Sequence, residues 1–130
     1  MLEIEGLCKR FGSHQALWNV NLRVAEGEKV AVMGPSGCGK STLLRCINRL
    51  IEPDAGSILV DGLPILELEG PSLEALRRRI GVVFQQGHLV RRLRVIDNII
   101  LPLLFAGLDR EEALLRARDA LEQVGLWSLR

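Results

Sequence analysis

The stretch GPSGCGKST, from Gly34 to Thr42, combines residue types that handle phosphate. Gly34, Gly39, Lys40 and Ser41 satisfy the spacing G-x-x-x-x-G-K-[ST], with Pro35, Ser36, Gly37 and Cys38 between them. Gly34, Gly37 and Gly39 lack a Cβ, so the backbone can take positive φ and bring its N–H groups around phosphate oxygens. A helix beginning near Lys40 would aim its own free N–H groups at the same point. A helix terminus contributes roughly 0.3–1 kcal/mol. Each hydrogen bond to a charged group contributes about 1.5–3 kcal/mol. The N–H contacts and the Lys40 ammonium therefore dominate. In such a loop the Ser41 hydroxyl ligates Mg²⁺, and Thr42 donates to the phosphate nearer the ribose. The chemistry is that of a nucleoside triphosphate with its magnesium. Cys38 reads as a small residue filling a variable position, and Cys8 and Cys46 as small packing residues.

The elements around the loop must position it. Before it, KVAVMG is a short continuous apolar run, the pattern of a strand buried on both faces. After it, KSTLLRCINRL places Leu43, Leu44, Ile47 and Leu50 on one helical face, with Arg45 and Asn48 elsewhere. Upstream, LEIEGLCKRFG and LWNVNLRVAEGE alternate with period two and read as strands of a half-buried antiparallel sheet. Downstream, SILVDG is a strand with an Asp-Gly turn. PSLEALRRR is a short helix entered at Ser72 with its arginines in the last turn, where they suit the helix dipole. IGVVFQQ reads as another buried strand, and VIDNIILPLLFAG as a helix kinked or stopped near Pro102. DREEALLRARDALEQVG is a helix with Asp109 as N-cap, Glu112 at N3 and Gly125 just past its end. The expected fold class is α/β, in one domain over residues 1–130.

Composition narrows the partners. With 17 basic and 16 acidic residues the net charge is +1, so no overall field recruits nucleic acid or an anionic membrane. Three cysteines, in no metal-binding or CxxC spacing, point to a reducing compartment. Glu3 and Glu5 interrupt any secretory signal, and the apolar segment from Ile99 to Leu108 falls short of the about 20 residues a membrane-spanning helix needs. A soluble protein is expected, with a membrane partner left open.

The loop alone serves GTPases, kinases, helicases and transporters. Its flanks, KRFGSHQALWNVNLRVAEGEKVAVMG before and LLRCINRLIEPDAGSILVDG, IGVVFQQ and VIDNIILPL after, resemble the N-terminal half of an ABC transporter ATP-binding subunit, most like the polar amino acid importer branch. The resemblance implies an incomplete P-loop NTPase fold: an N-terminal antiparallel β subdomain, the P-loop strand and helix, and C-terminal helices. It implies ATP and Mg²⁺ as ligands, with Phe11 as the aromatic that stacks on adenine, where tyrosine is more usual. The alternative for Phe11 is a plain core residue beside the sheet. Gln85 matches the Q-loop glutamine, which touches Mg²⁺ and the attacking water and senses the membrane partner. Gln86 takes no such part, and His14 and His88 read as exposed loop residues.

The resemblance further implies a permease docking on the region after Gln85, pairing with a second ATPase subunit, and a cytoplasmic position on the inner face of the membrane. Departures lie in GHLVRRLRVIDN, where Gly87 and His88 replace an aromatic and an asparagine. Arg94 and Asp97 stand where a Thr-x-x-Glu capping box would open the next helix, and Arg94 cannot accept the N-cap bond. Arg91, Arg92 and Arg94 could pair with acidic groups on the permease or remain a solvated basic loop. The family's signature motif, Walker B aspartate with catalytic glutamate, D-loop and switch histidine are not among these residues. Hydrolysis by residues 1–130 is therefore not expected. The strands ending at the loop and at Gln85 would also miss the strands that separate them in the family's sheet. A nucleotide-binding module without turnover, a nucleoside monophosphate kinase and a non-transport ABC-type ATPase are the alternatives.

Overall fold

A computed structural model describes residues 1–85, 87 and 89–129. Gln86 and His88, which the sequence reading placed outside the site, lie outside the described residues. The chain forms two compact units, Met1–Val82 and Val83–Arg130.

The first unit is built on an antiparallel sheet of order β2-β1-β3-β4, with β1 Leu2–Phe11, β2 His14–Val24, β3 Ala55–Val60 and β4 Leu63–Pro64. The expected alternation is interrupted where the register of β1 with its neighbours shifts, first between Ile4 and Leu7. Ile4 and Leu7 are both buried although three positions apart, which strict period two forbids. The register with β2 shifts between them, and this bulge at Glu5 and Gly6 returns Leu7 to the core face. Asn21 steadies it by accepting the Gly6 N–H at 2.8 Å. β3 and β4 meet through the Asp61-Gly62 turn, both residues at positive φ (50° and 76°), as a two-residue hairpin requires.

Helix α1, Lys40–Ile47, packs on this sheet. Its buried face is Leu43 and Cys46 with Ile47 partly covered, not the Leu43, Leu44, Ile47 and Leu50 stripe expected. Leu44 and Leu50 are exposed, whereas Asn48 is buried, its Oδ1 accepting the Leu50 N–H at 3.1 Å. Burial of a side chain such as Leu43 contributes about 1.5–3 kcal/mol, and burial pushes the Cys46 thiol above its ordinary pKa. Helix α2, Gly70–Arg79, starts two residues before the expected Ser72, with Pro71 in its first turn. Its last-turn arginines do more than complement a dipole. Arg77 donates from Nε to the Asn48 carbonyl at 3.1 Å and from its terminal nitrogen to the Arg49 carbonyl at 2.6 Å, closing the C-terminal end of α1.

Two expected strands do not form. Residues 29–33 and 81–84 are irregular backbone in no sheet, and Val30, Val32, Met33, Val82 and Val83 are exposed rather than buried. A strand buried on both faces needs neighbours on both edges. The described sheet joins only β1–β4, so neither run has a strand on either side of it.

The second unit is a helical hairpin of α3, Val95–Phe105, and α4, Arg110–Gln123, around Ile96, Ile100, Ala113, Ala117 and Leu121. Pro102 lies inside α3 without ending it. It removes one donor to the Asn98 carbonyl, but the helix resumes with the Ala106 N–H on the Pro102 carbonyl at 3.0 Å. The α4 caps are as expected: Asp109 accepts the Glu111 and Glu112 N–H groups, both at 2.9 Å, and Gly125 leaves the helix at φ 71°. No helix among the described residues is long and apolar enough to cross a membrane.

Candidate functional site: a phosphate loop on a sheet corner

The loop from Gly34 to Gly39 turns once, with the Cys38 N–H on the Pro35 carbonyl, and enters α1 through Gly39. Gly39 is the N-cap residue, at φ 95° and ψ −4°, and its carbonyl receives the Leu43 N–H at 2.9 Å. A Cβ there would collide with the Ala16 carbonyl of β2 and lie 3.1 Å from Leu17 Cδ2. The helix start is therefore seated against the backbone of the first hairpin. No side chain caps α1, so the N–H groups of Lys40, Ser41 and Thr42 have no partner within the helix. Lys40 folds over the loop, its Nζ donating to the Gly34 and Pro35 carbonyls at 2.7 Å each and lying 3.4 Å from Cys38 Sγ. One ammonium, three free N–H groups and the Ser41 hydroxyl thus surround one exposed loop. The donor set suits an anion of several oxygens, and Ser41 is a hard oxygen ligand of the kind Mg²⁺ takes.

The same corner carries Phe11. The hairpin pairs Phe11 with His14, Arg10 with Gln15 and Lys9 with Leu17, so the aromatic stands at the turn end of the hairpin on whose second strand Gly39 rests. Phe11 is 47% exposed, which excludes the plain core role. Lys9 Nζ sits over its ring, 5.5 Å from the centroid, and bonds Asp54 at 2.8 Å. Asp54 also accepts the Arg10 N–H at 2.6 Å. These bonds, the Lys9 one foremost, hold the Asp54 carboxyl below its ordinary pKa. Neither Lys9 nor Asp54 stood out in the sequence. The signal available was that Lys9, two residues before Phe11, shares its strand face.

Gln85 belongs to the second unit, where it is exposed at a bend. Beyond it, the missing capping box is replaced. Arg94 holds the N-cap position of α3 without a cap bond, and its guanidinium clasps Asp97 at 2.8 and 3.4 Å, lowering that carboxyl's pKa. Asn98 instead ties down the preceding turn: its Oδ1 accepts the Val90 N–H and its Nδ2 donates to the Val90, Leu93 and Arg94 carbonyls. Arg91 and Arg92 are exposed, beside a groove of about 620 Å³ lined by Leu89, Val90, Leu93, Ile99, Leu121 and Val124 among others.

The model of the ABC transporter family matches residues 17–130. This chain belongs to the ABC transporter ATP-binding family. It is 43% identical over 129 residues to the glutamine transport ATP-binding protein GlnQ of Escherichia coli, covering 97% of this chain and 52% of that protein. It is 44% identical over 130 residues to the methionine import ATP-binding protein MetN of Vibrio vulnificus, covering 97% and 38%. Among solved structures, the ATP-binding cassette MJ0796, a dimer bound to ADP and phosphate, superposes with a TM-score of 0.82 at 38% identity, over 94% of this chain and 56% of that one. The P-loop NTPase fold of an ABC cassette is thus established. The chain spans about half the length of GlnQ and MJ0796, and less of MetN.

Proposed function

We propose that the chain binds ATP with Mg²⁺ through Gly34–Thr42, as the ATP-binding subunit of an importer of polar amino acids. The observation that carries this reading is the seating of Gly39 on β2, which turns Lys40 and the free N–H groups of α1 onto one loop. Lys40 gives up two neutral carbonyl acceptors for charged phosphate oxygens, so that both donor and acceptor carry charge. Ser41 supplies the protein oxygen to the magnesium, which neutralises the terminal phosphates. Phe11 stacks on adenine, and Gln85 takes the part of the family's Q-loop glutamine. No residue among these acts as the general base.

The names of the relatives support an amino acid as the cargo, GlnQ favouring a polar one and MetN marking the class as broader. The apolar groove beside Arg91 and Arg92 supports a permease helix with an acidic flank as partner, and a position on the inner face of the membrane belongs to the same reading. The dimer of MJ0796 supports pairing with a second ATPase subunit.

Calorimetric titration with MgATP tests the reading. Lys40→Ala is expected to remove most of the affinity, and residues 1–130 to turn ATP over no faster than buffer. Equal binding by the variant and parent would dismiss the loop as the site. A turnover rate abolished by Lys40→Ala would dismiss the claim that residues 1–130 bind the nucleotide without turning it over.

A further inference from the structure

We propose that Lys9 and Asp54 are positioning residues for base recognition, a clamp that fixes the Phe11 ring with its second face available to the nucleotide's base. Asp54 holds three consecutive residues of β1. Its N–H donates to the Cys8 carbonyl at 2.9 Å, its Oδ1 accepts from Lys9 Nζ at 2.8 Å, and its Oδ2 accepts the Arg10 N–H at 2.6 Å. The strand is thereby fixed up to the residue before Phe11, although Asp54 lies 45 positions from Lys9. The Lys9 side chain is only 15% exposed, and its ammonium covers one face of the ring. A cation held on one face attracts the ring's π density and stops the ring from turning. Restricting the ring before the ligand arrives lowers the ordering cost of stacking. Gly39 rests on the same hairpin at Ala16 and Leu17, so the clamped strand and the start of α1 share one support.

The inference rests on Phe11 stacking the base, and the test separates the two. MgATP and base-free magnesium tripolyphosphate are titrated into the full chain and its variants. Lys9→Met and Asp54→Asn are each expected to weaken MgATP about five-fold and to leave tripolyphosphate unchanged, while Lys9→Arg retains parental affinity. Lys9→Met added to Phe11→Ala is expected to cost nothing more, because the clamp acts only through the ring. Unchanged MgATP affinity in Lys9→Met overturns the clamp, as does equal weakening toward tripolyphosphate, which signals a fold or field effect. If Phe11→Ala itself binds MgATP like the parent, the stacking role falls and the clamp with it. Loss of binding in Lys40→Ala still stands as the separate mark of the phosphate site.

Discussion

Gly39 meets two demands that no other residue type meets together. Its φ of 95° is left-handed, and its α-carbon faces a main-chain oxygen that cannot move without breaking the β1–β2 ladder. Gly37, two residues earlier, meets only the first, at φ 81° with open space where a Cβ would stand. The two positions separate strain from collision. Gly37→Ala is expected to cost about 1–2 kcal/mol, the ordinary penalty of a left-handed alanine. Gly39→Ala is expected to cost roughly 3 kcal/mol or more, since strain and an immovable contact add. Urea denaturation of both variants checks the order, and equal midpoints would mean that α1 does not rest on β2. At this scale the sequence was informative because the loop's spacing is a local pattern with one chemical use. The contact of Gly39 with Ala16 joins residues far apart in sequence, and nothing in either neighbourhood announced it. Lys9 and Asp54 were invisible for the same reason: their bond joins residues 45 positions apart.

Elements were legible where their ends carry their own instructions. Asp109 and Gly125 bracket α4, and Asp61-Gly62 sets the hairpin, because a cap or a turn is decided within a few residues. The α1 face was misjudged at Leu44 because helical spacing admits two adjacent stripes, and only the sheet beneath chooses between them. The apolar runs at 29–33 and 81–84 were misjudged as strands because their composition reports burial, whereas pairing depends on partners elsewhere. The caps of the second unit allow a measurement. Asp109→Ala removes both N-cap bonds of α4 and is expected to cost about 1 kcal/mol. Arg94→Ser, at an N-cap whose backbone is already extended, supplies the bond α3 lacks and is expected to gain up to about 1 kcal/mol. The exposed Arg94–Asp97 pair that it sacrifices offsets little of this. Urea unfolding followed by helical circular dichroism reads both, and a destabilised Arg94→Ser would show that the ion pair outweighs a proper cap.

For the molecule as a whole, the distribution of apolar surface decides how residues 1–130 behave in solution. The first unit closes one side of its sheet with α1 and α2, yet Val30, Val32 and Met33, the run leading into the phosphate loop, stand exposed at 44%, 49% and 88%. In the second unit Val83 is 99% exposed, and the hairpin's core is five residues, two of them alanine. A core of that size contributes little against the chain entropy of two helices. The runs are rich in valine and carry the composition of strands meant for the middle of a sheet, so in water they are sticky rather than neutral. Residues 1–130 alone are therefore expected to bind an apolar-surface dye before any heating. They are also expected to unfold in steps, the amides of α3 and α4 exchanging hydrogen faster than those of β1–β3. Because Lys40 and Gly39 hang from the first hairpin rather than from the 29–33 run, MgATP is expected to raise the transition of the first unit while leaving the dye bound. A single cooperative transition with little dye uptake would contradict this, and would mean that these valines find cover that the described fold does not provide.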